Sequence, residues 1–206
     1  MTKAAVCLLF AGALACAQDF SAGKILVASR QSHDADFAQT VVLVIRHDRQ
    51  ATIGLFVNRP LNVPLTEVYP ELKQGQLKLY AGGPLTVGIR ALYRSRTRPA
   101  GTSPILDDVS VITTKTVLGK MVEAGTPSSV FRVYAGYTGW SPGQLGDEIA
   151  RGLWQVVAGD AGVIFDPHPE TVWSRLIGRP SRGLSFQDAE HVGKVVSPGA
   201  ESGVGF

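Results

Sequence analysis

The sequence predicts a mixed α/β domain, and three observations lead there. β-Branched and aromatic runs recur along the chain, each bounded by Gly, Pro, Asn or Asp, as strands are. Several are apolar throughout, VVLVI at 41–45 above all, which suits strands covered on both faces. Segments of helical period lie between them, few in number and carrying start or stop signals.

Taken in order, the first residues, MTKAAVCLLFAGALACAQD, read as a secretory signal peptide. Lys3 supplies a positive n-region, Ala4–Leu14 the apolar stretch, and Ala15-Cys16-Ala17 an A-x-A cleavage site before Gln18. The stretch is too short to span a membrane. Residues 1–17 are expected to be removed and the mature chain to be periplasmic or secreted; a misassigned start codon would leave it cytoplasmic. Both cysteines, Cys7 and Cys16, fall within this segment. The mature chain would then offer no disulfide, thiol nucleophile or thiolate ligand.

Residues 18–179 are expected to form one domain, large enough to bury about 70% of its unfolded surface. Its strands are Lys24–Ala28, Thr40–Ile45, Ile53–Val57, Leu77–Tyr80, Ile89–Tyr93, Val109–Thr113, Val130–Ala135, Leu153–Val157 and Val163–Phe165. A short helical turn is expected at Leu65–Leu72, broken by Pro70. Lys115–Ala124 carries Val117, Leu118, Met121 and Val122 at helical spacing and is stopped by Gly125. Pro169–Ile177 carries Val172, Trp173, Leu176 and Ile177, with His168 as N-cap and Gly178 as stop. Residues 180–206, rich in Gly, Ser and Pro, are expected to be poorly ordered.

The segment VFRVYAGYTGWSPGQLGDEIARGLW at 130–154 is the most informative. It reads as a buried strand, a glycine-aromatic turn and a helix start signalled several times. Ser141 is placed as N-cap, a role whose loss costs about 1 kcal/mol. Pro142 suits the first helical position, and Gln144 completes an S-x-x-Q capping box. Leu145 and Ile149 form the buried edge, Asp147 and Arg151 an i, i+4 pair, and Gly152 the stop.

The same residues spell G-x-S-x-G, the nucleophile elbow of serine hydrolases, with Asp166, His168 and His191 following in the right order. Catalysis by Ser141 and His168 is therefore the alternative reading. Pro142 weighs against it. The elbow builds its oxyanion hole partly from the N–H after the nucleophile, which proline lacks, and losing one such donor costs roughly 3–4 kcal/mol of transition-state stabilisation.

The other candidates point to binding rather than chemistry. In Asn58-Arg59-Pro60, proline forces Arg59 extended and holds its guanidinium on a stiff loop. Gly82-Gly83-Pro84 allows close backbone approach but is not followed by a phosphate-loop Lys. Trp140 serves as core packing or as a ligand platform. His33-Asp34-Ala35-Asp36 lacks the convergence and two-sided spacing of a metal site, and no cofactor is expected. Lys and Arg number 20 against 17 Asp and Glu, without a basic stripe. Nucleic acid is therefore not expected as a partner; an unidentified small molecule or protein is.

Four blocks of the chain resemble the AlgH/YqgE family of bacterial proteins over about Phe20 to Arg179. They are GKILVAS with TVVLVIRH and IGLFVNRP at 23–60, YAGGP at 80–84, GYTGWSPGQL at 136–145, and FDPHPETVW at 165–173. The resemblance implies a bifurcated, partly barrel-like mixed sheet flanked by helices. It implies no defined reaction; the AlgH name carries a regulatory part in exopolysaccharide production. Arg46, Tyr93 and Gly146 depart from the pattern, and so does the signal peptide, since the family is typically cytoplasmic.

Overall fold

A computed structural model describes residues 21–32, 34–72 and 77–178. The signal peptide, His33, His191 and the tail at 180–206 lie outside them. The elements run β1 (Ile25–Ala28), β2 (Val41–His47), β3 (Thr52–Phe56), β4 (Pro60–Pro64), α1 (Leu65–Val68), β5 (Lys78–Ala81) and β6 (Leu85–Arg94). They continue with β7 (Ser103–Pro104), β8 (Val109–Ile112), α2 (Lys115–Glu123), β9 (Phe131–Trp140), α3 (Gln144–Ala150), β10 (Trp154–Val157), α4 (Ala161–Ile164) and α5 (Pro169–Leu176). The mixed α/β class is as predicted.

The sheet runs β10-β1-β2-β3-β9-β6-β8-β7, and it forks at β9. One edge of β9 carries β6. The other carries β5 in parallel from Leu79↔Val133 to Ala81↔Ala135, then β3 antiparallel from Gly54↔Thr138 to Thr52↔Trp140. Gly82 sits in the crotch: its N–H donates to Ala135 O at 2.7 Å and its carbonyl accepts from Phe56 N at 2.9 Å. A Cβ there would overlap the Gly136 carbonyl oxygen. The close approach expected of Gly82 is thus made by the protein's own strand.

Strand β1 and residues Val41–Val44 of β2 are buried on both faces, as their apolar runs predict. Ile25, Val27, Val41 and Leu43 pack with α4 and α5 residues, while Leu26, Ala28, Val42 and Val44 pack with Trp140, Leu145 and Trp154. A separate cluster joins Phe131 and Val133 of β9 to Leu118 and Val122 of α2. Alternation along β9 therefore serves two cores, with Tyr134 in the first and Phe131 and Val133 in another. Each fully buried aliphatic of this kind is worth about 1.5–3 kcal/mol.

Three expectations fail. Val163–Phe165 is not a strand: Ala161–Ile164 is a helical turn, because Asp160 Oδ1 accepts from Gly162 N at 2.6 Å and caps it. The glycine-aromatic stretch 136–140 is not a turn, since β9 runs through it to Trp140. Ser141 is not an N-cap: α3 begins at Gln144, its cap position is Gly143 at φ 82°, and no side chain caps it. The prolines of β4 hid a strand that pairs only with β5. No helix among the described residues is long and apolar enough to cross a membrane.

Candidate functional site

The site is assembled by the chain reversal between β9 and β10. Trp140 ends β9, residues 141–143 turn, and α3 carries the chain back. The helix closes in a Schellman turn, with Gly152 N donating to Ile149 O at 2.9 Å and Leu153 N to Glu148 O at 3.0 Å. Gly152 takes the required left-handed φ of 73°, and β10 starts at once with Trp154. Two tryptophans, one before and one after the short helix, are thereby brought together.

Glu148 lies between them. Its Oε2 accepts from Trp140 Nε1 at 2.9 Å and from Trp154 Nε1 at 2.8 Å, and its Oε1 accepts from Gln144 Nε2 at 2.9 Å. Gln144 completes the chain, since its Oε1 accepts from the Ser141 backbone N–H and from Ser141 Oγ, both at 3.1 Å. The reach-back half of the expected capping box is therefore present and the serine half is absent. Arg151 Nε donates to the Asp147 carbonyl oxygen at 3.2 Å rather than pairing with its carboxylate.

Aromatic rings complete the wall. The indoles of Trp140 and Trp154 meet edge to face at 5.9 Å, and Phe37 stands edge-on to Trp154 at 5.5 Å and to Phe56 at 5.6 Å. A cleft of about 270 Å³ opens here, lined among others by Asp34, Phe37, Trp140, Gln144, Glu148 and Trp154. On the far side of the loop at 34–37 a second, shallower cleft of about 300 Å³ is lined by Asp36, Phe56, Arg59, Gly83 and Pro84. Pro84 belongs to both.

The predicted binding residues thus divide. Trp140 and Gln144 share one cleft, Arg59 and Gly83 the adjoining one. Asn58 and Gly82 line neither and hold the frame. Asn58, buried, accepts from Val41 N at 2.8 Å and donates to Gln39 O at 2.9 Å; Arg59 donates to the Ala38 carbonyl. Both therefore pin the loop that separates the clefts. Glu148 was missed by sequence reasoning, although a signal exists. It stands four residues after Gln144, on the same helical face, between two tryptophans.

Among the described residues no hydrogen bond joins Ser141 to His168. The serine hydroxyl is engaged with Gln144, and His168 Nδ1 lies 3.7 Å from Glu170 Oε1 at the exposed start of α5. Nor does any group of three or more His, Cys, Asp or Glu among these residues suit a metal ion. Because Ser141 is exposed and does not cap α3, Ser141→Ala is expected to change stability by less than about 0.5 kcal/mol. Urea unfolding measures this, and a loss above about 1 kcal/mol would restore the capping role.

Comparison with known proteins agrees with this architecture. The AlgH-like family (DUF179) matches residues 25–182. A UPF0301 protein of Azoarcus sp. is 32% identical over 180 residues, covering 81% of this chain and 92% of that protein. Another, from Methylococcus capsulatus, is 34% identical over 165 residues, covering 76% and 90%. The solution structure of AlgH from Pseudomonas aeruginosa superposes with a TM-score of 0.64 at 27% identity, over 85% of this chain and 95% of that one. A crystal structure of a Corynebacterium diphtheriae protein gives a TM-score of 0.67 at 24% identity, covering 79% and 88%, and shows the fold alone. Sequence blocks, forked sheet and matched length converge: the chain belongs to the AlgH-like family.

Proposed function

We propose that this chain is exported and acts as a non-enzymatic binding or interaction domain, with the Trp140–Glu148–Trp154 cleft as its ligand site. The observation that carries the reading is the carboxylate of Glu148, held by two indole N–H groups and the Gln144 amide at the wall of an aromatic cleft. Ligand sites are typically apolar clefts with a few fixed polar groups, and this one has that composition. The polar groups are held by an interlocked network, so they need no rearrangement to receive a partner. Arg59 and Gly83 extend the surface across the loop at 34–37. The export half of the reading rests on Lys3, the apolar stretch Ala4–Leu14 and the Ala15-Cys16-Ala17 cleavage site.

The test uses the chain expressed from Met1 and recovered from a periplasmic extract. Its mass is expected to place the mature N-terminus at Gln18. A panel of small metabolites is then screened by thermal shift. A ligand at a hundred times its Kd adds about 2.7 kcal/mol, which raises Tm by about 5–10 °C for a domain of this size. At least one compound is expected to do so, with the shift lost in Glu148→Gln. An intact Met1 in every fraction ends the export reading. A panel without effect, or shifts indifferent to Glu148, ends the cleft as the site.

A further inference from the structure

We infer that the cleft takes a small organic cation, one presenting an alkylammonium or guanidinium group. This rests on the binding reading and names the ligand chemistry. Asp34 and Glu148 are the ionisable side chains lining the cleft, and no Lys, Arg or His among the described residues lines it. Among those residues neither carboxylate forms an ion pair, whereas Arg46–Asp48, Arg94–Asp108, Lys115–Glu71, His168–Glu170 and Arg175–Asp166 do. The cleft is therefore net negative, with no cation in its described lining to balance it.

The indoles do not explain the charge. A neutral carbonyl oxygen, with two lone pairs, would satisfy both N–H groups as well as a carboxylate does. Glu148 receives its hydrogen bonds from three neutral donors, so its full negative charge remains. A carboxylate offers about four acceptor sites, leaving one to meet a ligand N–H. The surrounding rings shape the same cleft. Trp140 and Trp154 are 3% and 6% exposed and meet each other and Phe37 at steep or tilted angles, so they wall the carboxylates with a narrow apolar rim rather than with open ring faces. At about 270 Å³ the cleft suits a small molecule or one side chain. Among the described lining residues an anion would meet two carboxylates and no donor of opposite charge.

The experiment titrates the full mature chain, following tryptophan fluorescence and calorimetric heat. The probes are choline, agmatine, Nα-acetyl-lysine methylamide, and 3,3-dimethylbutan-1-ol as the neutral isostere of choline. At least one cation is expected to bind about tenfold or more tightly than the neutral alcohol, and Glu148→Gln to weaken it about tenfold. Asp34→Asn, whose side-chain oxygen can still accept from Asp36 N at the turn, is expected to weaken it by a smaller factor while Tm stays unchanged. It keeps the test decisive should Glu148→Gln fold poorly. Preference for choline or agmatine marks a free metabolite; preference for the lysine amide marks a side chain on a partner protein.

Equal affinity for choline and its neutral isostere overturns the inference, as does binding unaffected by either carboxylate variant. If cations fail up to about 10 mM while the metabolite panel yields a neutral or anionic ligand that depends on Glu148, the binding reading stands and this one falls. Failure of both sets ends both.

Discussion

Gly82→Ala is expected to lose about 4 kcal/mol or more of stability, a large part of the roughly 5–15 kcal/mol that holds a domain of this kind. The added methyl would meet the Gly136 carbonyl group and a Leu55 methyl at the fork of the sheet. Overpacking against flexible side chains costs about 1–3 kcal/mol. Here the obstacle is backbone, and relief requires moving Gly82 away from Ala135 O and Phe56 N. Each hydrogen bond so disturbed adds about 1 kcal/mol. Urea unfolding followed by tryptophan emission measures the loss, with Gly143→Ala as reference. Gly143 also has positive φ, at 82°, but nothing within 4 Å of its added Cβ, so only the conformational cost of about 1–2 kcal/mol applies. Equal losses in the two variants would show that the crotch at Gly82 is not close-packed.

Arg132→Met is expected to cost about 3–5 kcal/mol. Arg132 is 4% exposed, and its guanidinium donates to Ile164 O at 2.7 Å and to Asp166 O at 2.5 Å while lying over the Tyr80 ring at 4.8 Å. Replacing a buried charge with an apolar side chain is often harmless, but only when its partners go with it. These two carbonyls remain and lose their donors, at about 1–3 kcal/mol each. Asp166 in turn anchors α5: its carboxylate accepts from His168 N at 2.8 Å and pairs with Arg175 at 2.5 Å. The damage is therefore expected to concentrate in α4 and α5. Hydrogen exchange should rise there before it rises in β1 and β2. Arg132→Lys is expected to recover less than half the loss, since an ammonium cannot reproduce the planar fork that reaches two carbonyls. Neighbouring Tyr134 is fully enclosed, and burial pushes its hydroxyl above the ordinary tyrosine range. It therefore stays protonated and cannot supply a counter-charge.

Much of the fold was legible because it is written locally. VVLVI at 41–45 announced burial on both faces, and β2 is buried along Val41–Val44. Gly125 and Gly152 announced helix ends, and each closes its helix with a left-handed φ. The family was legible from short blocks in order, and the forked sheet it implied is present. The cleft proposed as the site was half legible. Trp140 and Gln144 could be named from their residue types and position, whereas the carboxylate that joins them was missed, although its place four residues after Gln144 set it apart from the chain's other acidic residues.

Two of the misreadings share one cause. Ser141, Pro142 and Gln144 carry every local signal of a helix start, yet pairing of Thr52 with Trp140 carries the strand up to Ser141 and delays the helix to Gln144. Strand 136–140 looked like a turn because its glycines serve neighbours distant in sequence: Gly136 lets the Leu85 carbonyl approach, and Gly139 pairs with Ile53. By itself the sequence determined which segments are buried, where most helices stop and which family shares the design, because capping, periodicity and φ preference act within a few residues. Only the tertiary structure decided where β9 forks, which loop Asn58 and Arg59 clamp, and that Glu148 faces two tryptophans. Those outcomes depend on hydrogen bonds and ring contacts between segments far apart in the chain, whose energies appear only once the sheet has closed.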